Sequence, residues 1–243
     1  MAELELRFIG TGNAFAPGGL CWNGFTANGR FLFEAPPQAL QALNKLGADP
    51  NALDAVVLSH HHGDHFLGLP FLLLHWKYQK RTRPVSIVGP PGTRELSSRI
   101  AASVFPGIFE AEYPVDWREV DAGDRVEVAG LELEVLGMKH DERLSASLGF
   151  NATIGGRRFS YTGDTAMCDS VMAMARHAEV LVSECASRAE RIPIHMNLVD
   201  DMPALRQAMP AAAHLVITHI GPDVRAGDLA NTTVAADQAR YLF

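Results

Sequence analysis

Cysteine is scarce in this chain, and its pattern excludes a disulfide framework. The 243 residues contain three cysteines, Cys21, Cys168 and Cys185, without a Cys-x-x-Cys pair. An odd number of widely spaced cysteines is typical of a protein from a reducing compartment and not of a small secreted domain. A chain of this length needs no covalent crosslinks, because it can bury roughly three quarters of its extended surface.

Long apolar runs are also missing. The longest run, residues 66–76, is interrupted by Gly68, Pro70 and His75 and is too short to span a bilayer. Residues 1–8 lack the basic region and the apolar stretch of a secretion signal. We therefore expect a soluble, cytoplasmic protein without membrane contact.

Basic residues are fewer than acidic residues in this chain. The chain has 21 Lys and Arg residues against 28 Asp and Glu residues, a formal net charge of −7. A net acidic surface argues against binding a long nucleic acid, which requires neutralisation of many phosphates. It does not exclude a small anionic substrate, because bound metal ions would set the charge of a site.

The apolar pattern predicts an α/β (α+β) fold in a single domain, residues 1–243, since no linker or repeat divides the chain. Short apolar or alternating runs predict strands at residues 4–9, 22–33 (a hairpin), 54–59, 85–88, 115–138 (two or three strands), 147–154, 158–161, 180–183 and 215–218. Helical spacing predicts helices over residues 37–46, 66–79, from 93, 168–177 and 198–208. Such alternation favours sheets packed on each other with helices outside.

A histidine cluster follows one of these strands. Four of the ten histidines, His60, His61, His62 and His65, lie close together with Asp64 among them. Alternate positions of an extended backbone project their side chains to the same side, which groups His60, His62 and Asp64. Imidazole and carboxylate are ligands that zinc prefers. The carboxyl end of a buried strand is also where α/β sheets place their sites.

Two metal ions would need more ligands than this motif supplies. Three further candidates each follow a predicted strand: His140, Asp164 and His219. Because the carboxyl ends of neighbouring strands meet at one edge of a sheet, we expect these side chains near the histidine cluster. His61 alternates with the candidate ligands and is expected to point away from the metals.

In chain order, these residues resemble the motif series of the metallo-β-lactamase superfamily. The matching motifs are His60-x-His62-x-Asp64-His65, His140, Thr162-Gly163-Asp164 and Ile217-Thr218-His219. Further stretches resemble the ribonuclease Z and phosphodiesterase branch: Phe8-Ile9-Gly10-Thr11-Gly12, Gly89-Pro90-Pro91-Gly92-Thr93 and Tyr161-Thr162-Gly163-Asp164-Thr165. The likeness extends over nearly the whole chain.

The resemblance implies a four-layer αββα sandwich with two divalent metal ions. In the family pattern one metal would be held by His60, His62 and His140, the other by Asp64, His65 and His219, with Asp164 bridging both. Zinc is the first expectation from these ligand types, and Mn²⁺ or iron accepts the same mixture.

Two close cations lower the pKa of a shared water and so create a bridging hydroxide nucleophile. Asp64 would also orient this nucleophile and accept its proton. Glu184 and His195 are the candidates that supply the leaving group with a proton, as a Glu and a downstream His do in the ribonuclease Z branch. A carboxylate that holds one ring nitrogen raises the basicity of the imidazole and aims the other nitrogen.

Two features differ from the tRNA-processing members of that branch. Those members usually carry a long basic arm between the third and fourth metal motifs, whereas His140 and Asp164 are only 24 positions apart. The stretch Glu34-Ala35-Pro36-Pro37 does not resemble their Asp-Cys-Gly-Glu stretch. We therefore expect a phosphodiesterase for a small or nucleotide-like substrate, and no long nucleic acid partner.

Alternative functions share the same scaffold. A thioester, lactone or β-lactam hydrolase would use the same first metal motifs. A non-catalytic metal-binding regulatory protein is a third reading, against which the complete ligand set argues. Family resemblance alone suggests a homodimer.

Overall fold

A computed structural model describes residues 3–109, 115–225 and 227–243, and these contain two seven-stranded sheets with six α-helices. The strands are β1 Glu5–Gly10, β2 Gly24–Ala27, β3 Phe31–Phe33, β4 Ala55–Val57, β5 Val85–Gly89, β6 Val115–Glu119, β7 Arg125–Val128, β8 Leu131–Gly137, β9 Leu148–Ile154, β10 Arg157–Tyr161, β11 Val180–Cys185, β12 His214–Ile220, β13 Thr232–Val234 and β14 Arg240–Leu242. The helices are α1 Ala39–Lys45, α2 Gly63–Phe66, α3 Leu69–Tyr78, α4 Thr93–Val104, α5 Asp169–His177 and α6 Asp201–Ala208.

The two sheets have matching internal arrangements. The first has the strand order β14-β1-β2-β3-β4-β5-β6 and the second β13-β12-β11-β10-β9-β8-β7. Strands β3 to β6 pair in parallel, and so do β10 to β13. In each sheet the carboxyl ends of the parallel strands therefore lie at one edge, where the loops that follow them can meet.

Three apolar clusters fill the three interfaces between four layers. The cluster between the sheets is rich in aromatic side chains, including Phe8, Phe25, Phe33, Phe150 and Phe159. A second cluster joins α1, α3 and α4 to the first sheet, for example through Leu43, Leu72, Trp76, Val56 and Ile87. A third joins α5 and α6 to the second sheet, for example through Val171, Met174, Leu205, Leu215 and Ile217. The predicted αββα arrangement of sheets and helices is confirmed.

Some predicted boundaries were wrong. The helix predicted over residues 66–79 is interrupted, because the Gly68 N–H binds the Ala35 carbonyl at 2.8 Å and a Cβ on Gly68 would lie 2.0 Å from the Pro36 carbonyl oxygen. The chain leaves α2 there and starts α3 with Pro70 in its first turn. Strands β13 and β14 are three residues each and were not predicted. In the described part of the chain, no helix has the length and apolarity needed to cross a bilayer.

Candidate metal centre

The histidine cluster begins at the carboxyl end of β4, in the middle of the first sheet. Strand β4 is fully buried and pairs with β3 and β5, which fixes the position of the loop that follows. The backbone of His62 is extended and precedes α2, whose first turn carries Asp64 and His65. A short strand, an extended loop and one helical turn thus present four of the predicted ligands from a single segment.

Three histidines converge on one point, and we call them the first triad: His60, His62 and His140. The Nδ1 atom of His62 lies 3.1 Å from Nε2 of His60 and 3.1 Å from Nε2 of His140. His140 reaches this point from the loop after β8, 78 positions away in sequence from His62. Ring nitrogens this close to one another can share one cation as tetrahedral ligands.

The other ring nitrogen of each histidine in the first triad has its own partner. These partners are the Ser59 hydroxyl at 2.8 Å from His60, the Asp141 carboxylate at 3.3 Å from His62, and the Ile194 carbonyl at 3.0 Å from His140. A carbonyl can only accept, so Nδ1 of His140 donates and Nε2 is left with its lone pair for a metal. Such outer partners orient metal-binding histidines. Asp141 was not predicted from the sequence.

Asp64, His65 and His219 form the second triad. Nε2 of His65 and Nε2 of His219 lie 3.3 and 3.5 Å from Oδ2 of Asp64. His219 is the sixth of the seven residues of β12, and not beyond the strand as predicted, because β12 continues to Ile220. Its φ of +50° places it in the left-handed region, a strained conformation for a residue other than glycine that is commonly found at functional sites.

Asp164 lies between the two triads. Its Oδ2 atom is 3.9 Å from Nε2 of both His60 and His140, 3.3 Å from Nε2 of His65 and 3.2 Å from Nε2 of His219. The side chain is 3% exposed, so these distances describe a closed environment and not a surface contact. The Asp164 carboxylate is therefore close to candidate ligand atoms of both the first and the second triad.

Buried polar atoms that lack hydrogen-bond partners indicate whether this site fits a metal ion. Among the described residues, both ring nitrogens of His65 and of His219, and Oδ1 of Asp164, are buried without a hydrogen-bond partner. A buried polar atom without a partner costs about 1–3 kcal/mol. A metal can supply the partner for three of these atoms, Nε2 of His65, Nε2 of His219 and Oδ1 of Asp164, because both Nε2 atoms face Asp64 and Asp164. Burial also lowers the pKa of His60 well below its ordinary value, which keeps this ring in the neutral, metal-binding form. The donor set fits divalent cations.

Glu184 and His195 are adjacent to the triads. Nδ1 of His195 lies 2.8 Å from Oε1 of Glu184, and the His195 ring centroid is 4.9 Å from that of His140 and 5.5 Å from that of His219. Burial disfavours the charged imidazole, but the hydrogen bond and the charge of Glu184 outweigh burial and raise the pKa of His195 to about 9. Glu184 lies inside β11, which continues one residue beyond it, and not at its end as predicted.

Backbone groups hold Glu184 in place. The N–H groups of Thr165 and Ala186 donate to its two carboxylate oxygens at 2.9 and 3.1 Å. The N–H of Thr165 ties Glu184 to the loop that carries Asp164. The carboxylate that orients His195 is thus positioned by the same loop that supplies the central aspartate.

Glu34 was missed by the sequence analysis as a site residue. It is fully buried directly after β3, and its carboxylate accepts from the Tyr161 hydroxyl at 2.9 Å and from the Ser59 N–H at 3.3 Å. Its Oε1 atom lies 3.5 Å from Nδ1 of His65, the nitrogen opposite the second triad. The φ of Glu34 is +63°, so this residue too is held in a strained conformation next to the site.

Phe15 is an exposed aromatic residue, and its loop is bound to the end of β12. It is 90% exposed, on the loop between β1 and β2. The Asn13 N–H binds the Ile220 carbonyl at 3.2 Å, and the Asn13 side chain accepts from the Phe15 N–H at 3.0 Å. The loop is therefore anchored one residue beyond His219, and Phe15 lies two residues from that anchor.

The structure brings all nine predicted site residues into one constellation. His61 points elsewhere, because its Nε2 lies 2.8 Å from the Thr93 hydroxyl. The hydroxyl of Thr93 donates to the Pro90 carbonyl, so it accepts from His61. Which of the nine residues bind metal, and which act on substrate, stays a prediction.

Comparison with known proteins agrees with this geometry. Residues 29–220 match the family described as "Beta-lactamase superfamily domain". The chain belongs to this superfamily. The ribonuclease Z of Methanosarcina acetivorans is similar to this chain, with 25% identity over 89% of this chain and 87% of its own length.

Two solved structures have the same fold. The metallo-beta-lactamase fold protein YhfI from Bacillus subtilis superposes with a TM-score of 0.79 and 18% identity over 100% of both chains. A diphosphatase from the PhnP family superposes with a TM-score of 0.76 and 19% identity, covering 99% of this chain and 98% of the other. The names of its relatives indicate that this superfamily member is a hydrolase. The fold implies divalent metal ions, and the histidine and aspartate groups could bind them.

Proposed function

We propose that this superfamily member is a binuclear metal-dependent phosphodiesterase for a small or nucleotide-like substrate. The observation that carries the proposal is the position of Asp164, whose Oδ2 atom is within 3.9 Å of histidine nitrogens from both triads. A carboxylate shared between two ligand groups is the arrangement that fixes two cations a few ångströms apart.

The first triad would hold one cation and the second triad the other, with Asp164 contributing to both. When bound, two divalent cations lower the pKa of a bound water and stabilise the negative charge that develops on a phosphoryl group. Zinc is the first choice for five imidazoles and two carboxylates, and Mn²⁺ or iron suits the same donors.

His195 would donate the proton that the leaving oxygen requires. Glu184 holds Nδ1 of His195 at 2.8 Å, which fixes the ring and leaves Nε2 free of that bond. A raised pKa keeps this imidazole protonated near neutral pH, as a proton donor must be. Asp64, next to His65 and His219, would orient the attacking water and accept its proton.

The small size of the substrate is supported by the segment between His140 and Asp164. After a short loop, the β9–β10 hairpin occupies the rest of this segment, so the segment provides no arm for a long polynucleotide. The net charge of −7 also disfavours extended phosphate contacts. Relatives named ribonuclease Z and a fold neighbour named diphosphatase support cleavage of a phosphorus–oxygen bond.

The test combines metal counting with a panel of substrates. Purified protein is analysed by inductively coupled plasma mass spectrometry and assayed with bis(p-nitrophenyl) phosphate, a thioester and a chromogenic β-lactam. We expect two divalent ions per chain and turnover of the phosphodiester. Thioester or β-lactam turnover with an inert phosphodiester would assign the other bond class, and full metal loading without any hydrolysis would refute the enzymatic proposal.

A further inference from the structure

A groove rich in arginine lies at the end of the second sheet opposite the metal centre. We call it the basic groove; it has a volume of about 580 Å³ and is lined by Arg157, Arg158, Arg176, Glu179, His214 and Phe243, among others. Arginines 157 and 158 begin β10, and His214 begins β12, whereas Asp164 and His219 follow or end these strands. Five to seven residues at about 3.3 Å each separate the two ends, so the basic groove is roughly 16–23 Å from the metal centre.

The charges of the basic groove are not balanced. Among the described residues that line the groove, Glu179 is the single one with an acidic side chain, and it lies 3.9 Å from Nε of Arg157 and 3.1 Å from Nε of Arg158. Among the described residues, the side chain of Arg176 has no ion pair or hydrogen bond, and Nε of Arg157 is buried without a hydrogen-bond partner. Three arginine side chains face one acidic side chain among the described lining residues, so the side chains of the groove carry an excess of positive charge, although the chain as a whole is acidic.

Capping of helix ends does not account for these arginines. An arginine near the end of a helix can satisfy carbonyls there, and Arg206 of α6 donates to the carbonyls of Met209, Pro210 and Ala213, which follow the helix. Arg176 occupies the corresponding last turn of α5, but its side chain donates to no carbonyl of the described residues. Its guanidinium is exposed and free to bind a ligand.

An aromatic surface adjoins the charged one. The rings of His214 and Phe243 are in contact, with centroids 5.2 Å apart. Burial and the charge of Arg206 lower the pKa of His214, so this ring is neutral and can stack. The volume of the groove is within the range of roughly 300–1,000 Å³ that small ligands occupy.

We propose that the basic groove is a second ligand site, distinct from the metal centre, that binds a nucleoside diphosphate. The guanidinium groups of Arg157 and Arg176 would bind the diphosphate, because arginine matches phosphate oxygens with paired N–H donors. The His214 and Phe243 rings would contact the nucleobase. Nothing in this proposal depends on the reaction at the metal centre.

The test is a calorimetric titration of the metal-loaded protein with ADP. The variant R157Q/R176Q removes two groove arginines, and the control R118Q/R125Q removes two exposed arginines on β6 and β7 with the same change of net charge. We expect R157Q/R176Q to weaken the groove binding event at least tenfold and the control to bind as the wild type does. Hydrolysis of bis(p-nitrophenyl) phosphate should be unchanged in both.

Diphosphates can also bind the metal ions, and the variants separate the two sites. Equal ADP binding by the wild type and R157Q/R176Q would place all ADP at the metal centre and overturn the proposal. Inorganic pyrophosphate in place of ADP should bind several-fold more weakly at the groove, and equal affinity would refute the nucleobase contact. If the double variant does not fold, the single variant R176Q gives the same comparison, because Arg176 is exposed and unpartnered among the described residues.

Discussion

Glu184 holds Nδ1 of His195 at 2.8 Å, and this bond leaves Nε2 as the nitrogen that can act on a substrate. The same ring lies against His140 of the first triad and His219 of the second. The position of His195 between the two triads is therefore set by a buried carboxylate and not by the metal ligands themselves.

Replacement of His195 by alanine should reduce kcat by about 10²- to 10⁴-fold, the usual contribution of a general acid, while both metal ions stay bound. The measurements are steady-state kinetics with bis(p-nitrophenyl) phosphate and metal counting on the same sample. His75→Gln, on α3, is the control and should leave kcat unchanged. Loss of metal together with activity would show that His195 is a ligand and not the proton donor.

Replacement of Asp164 by asparagine should abolish turnover and lower the metal content to one ion or fewer per chain. The neutral amide cannot supply the shared negative charge that lies between the two triads. Asp169→Asn, an exposed change of the same kind in the first turn of α5, should keep both ions. An Asp164→Asn protein with two ions and normal activity would exclude a bridging role.

Removal of the metals should destabilise the protein. Chelation leaves Nε2 of His65, Nε2 of His219 and Oδ1 of Asp164 buried without partners among the described residues. A ligand present at a thousandfold its Kd stabilises the folded state by about 4 kcal/mol, which for a chain of this length raises Tm by about 10 °C. Differential scanning calorimetry with EDTA and then with added Zn²⁺ measures this shift. Identical melting curves would argue against a structural contribution from the metal.

Most residues of the candidate metal centre could be located from the sequence because they follow or end strands. The cluster at His60 and the residues Asp164 and His219 could be found from short apolar runs followed by His or Asp, a local signal. Glu34 also directly follows an apolar strand, but that position alone does not indicate which side chain it contacts. It reaches His65 only because β3 and β4 pair in parallel with Phe33 opposite Val57, a non-local contact that no sequence period indicates.

Strand lengths and short elements were less predictable for the same reason. Beta-strands β11 and β12 extend to Cys185 and Ile220 because each pairs with a neighbour along its length. The three-residue strands β13 and β14 have too few residues for an alternating pattern, and their strand character comes from pairing with β12 and β1. The sheet edges were therefore set by tertiary contacts.

Replacement of Glu34 by glutamine should weaken metal binding roughly tenfold or more, as is usual when the outer partner of a ligand is changed. The amide keeps the size of the side chain but loses the negative charge 3.5 Å from Nδ1 of His65. Competition with a zinc chelator of known affinity measures the change. The control is Glu132→Gln, an exposed position on β8, which should bind zinc as the wild type does. Equal affinities would limit Glu34 to a packing role.

Phe15 is expected to bind the apolar part of the substrate. Burial of an aromatic side chain contributes about 1.5–3 kcal/mol of free energy, which Phe15 lacks because it is 90% exposed. Its loop is anchored beside His219 by the Asn13 N–H. Phe15→Ala should therefore raise KM for an aromatic diester roughly five- to tenfold with little change in kcat, because the lost contact is made equally in the ground and transition states.

The choice of substrate and of control makes this prediction specific. A dialkyl phosphodiester offers no ring for stacking, so its KM should change less in Phe15→Ala than the KM of bis(p-nitrophenyl) phosphate. Tyr78→Ala removes another exposed aromatic side chain, 67% exposed at the end of α3, and should leave both values unchanged. An equal rise of KM for both diesters would point to a displaced loop, since a shift of Asn13 would disturb the end of β12 for every substrate alike.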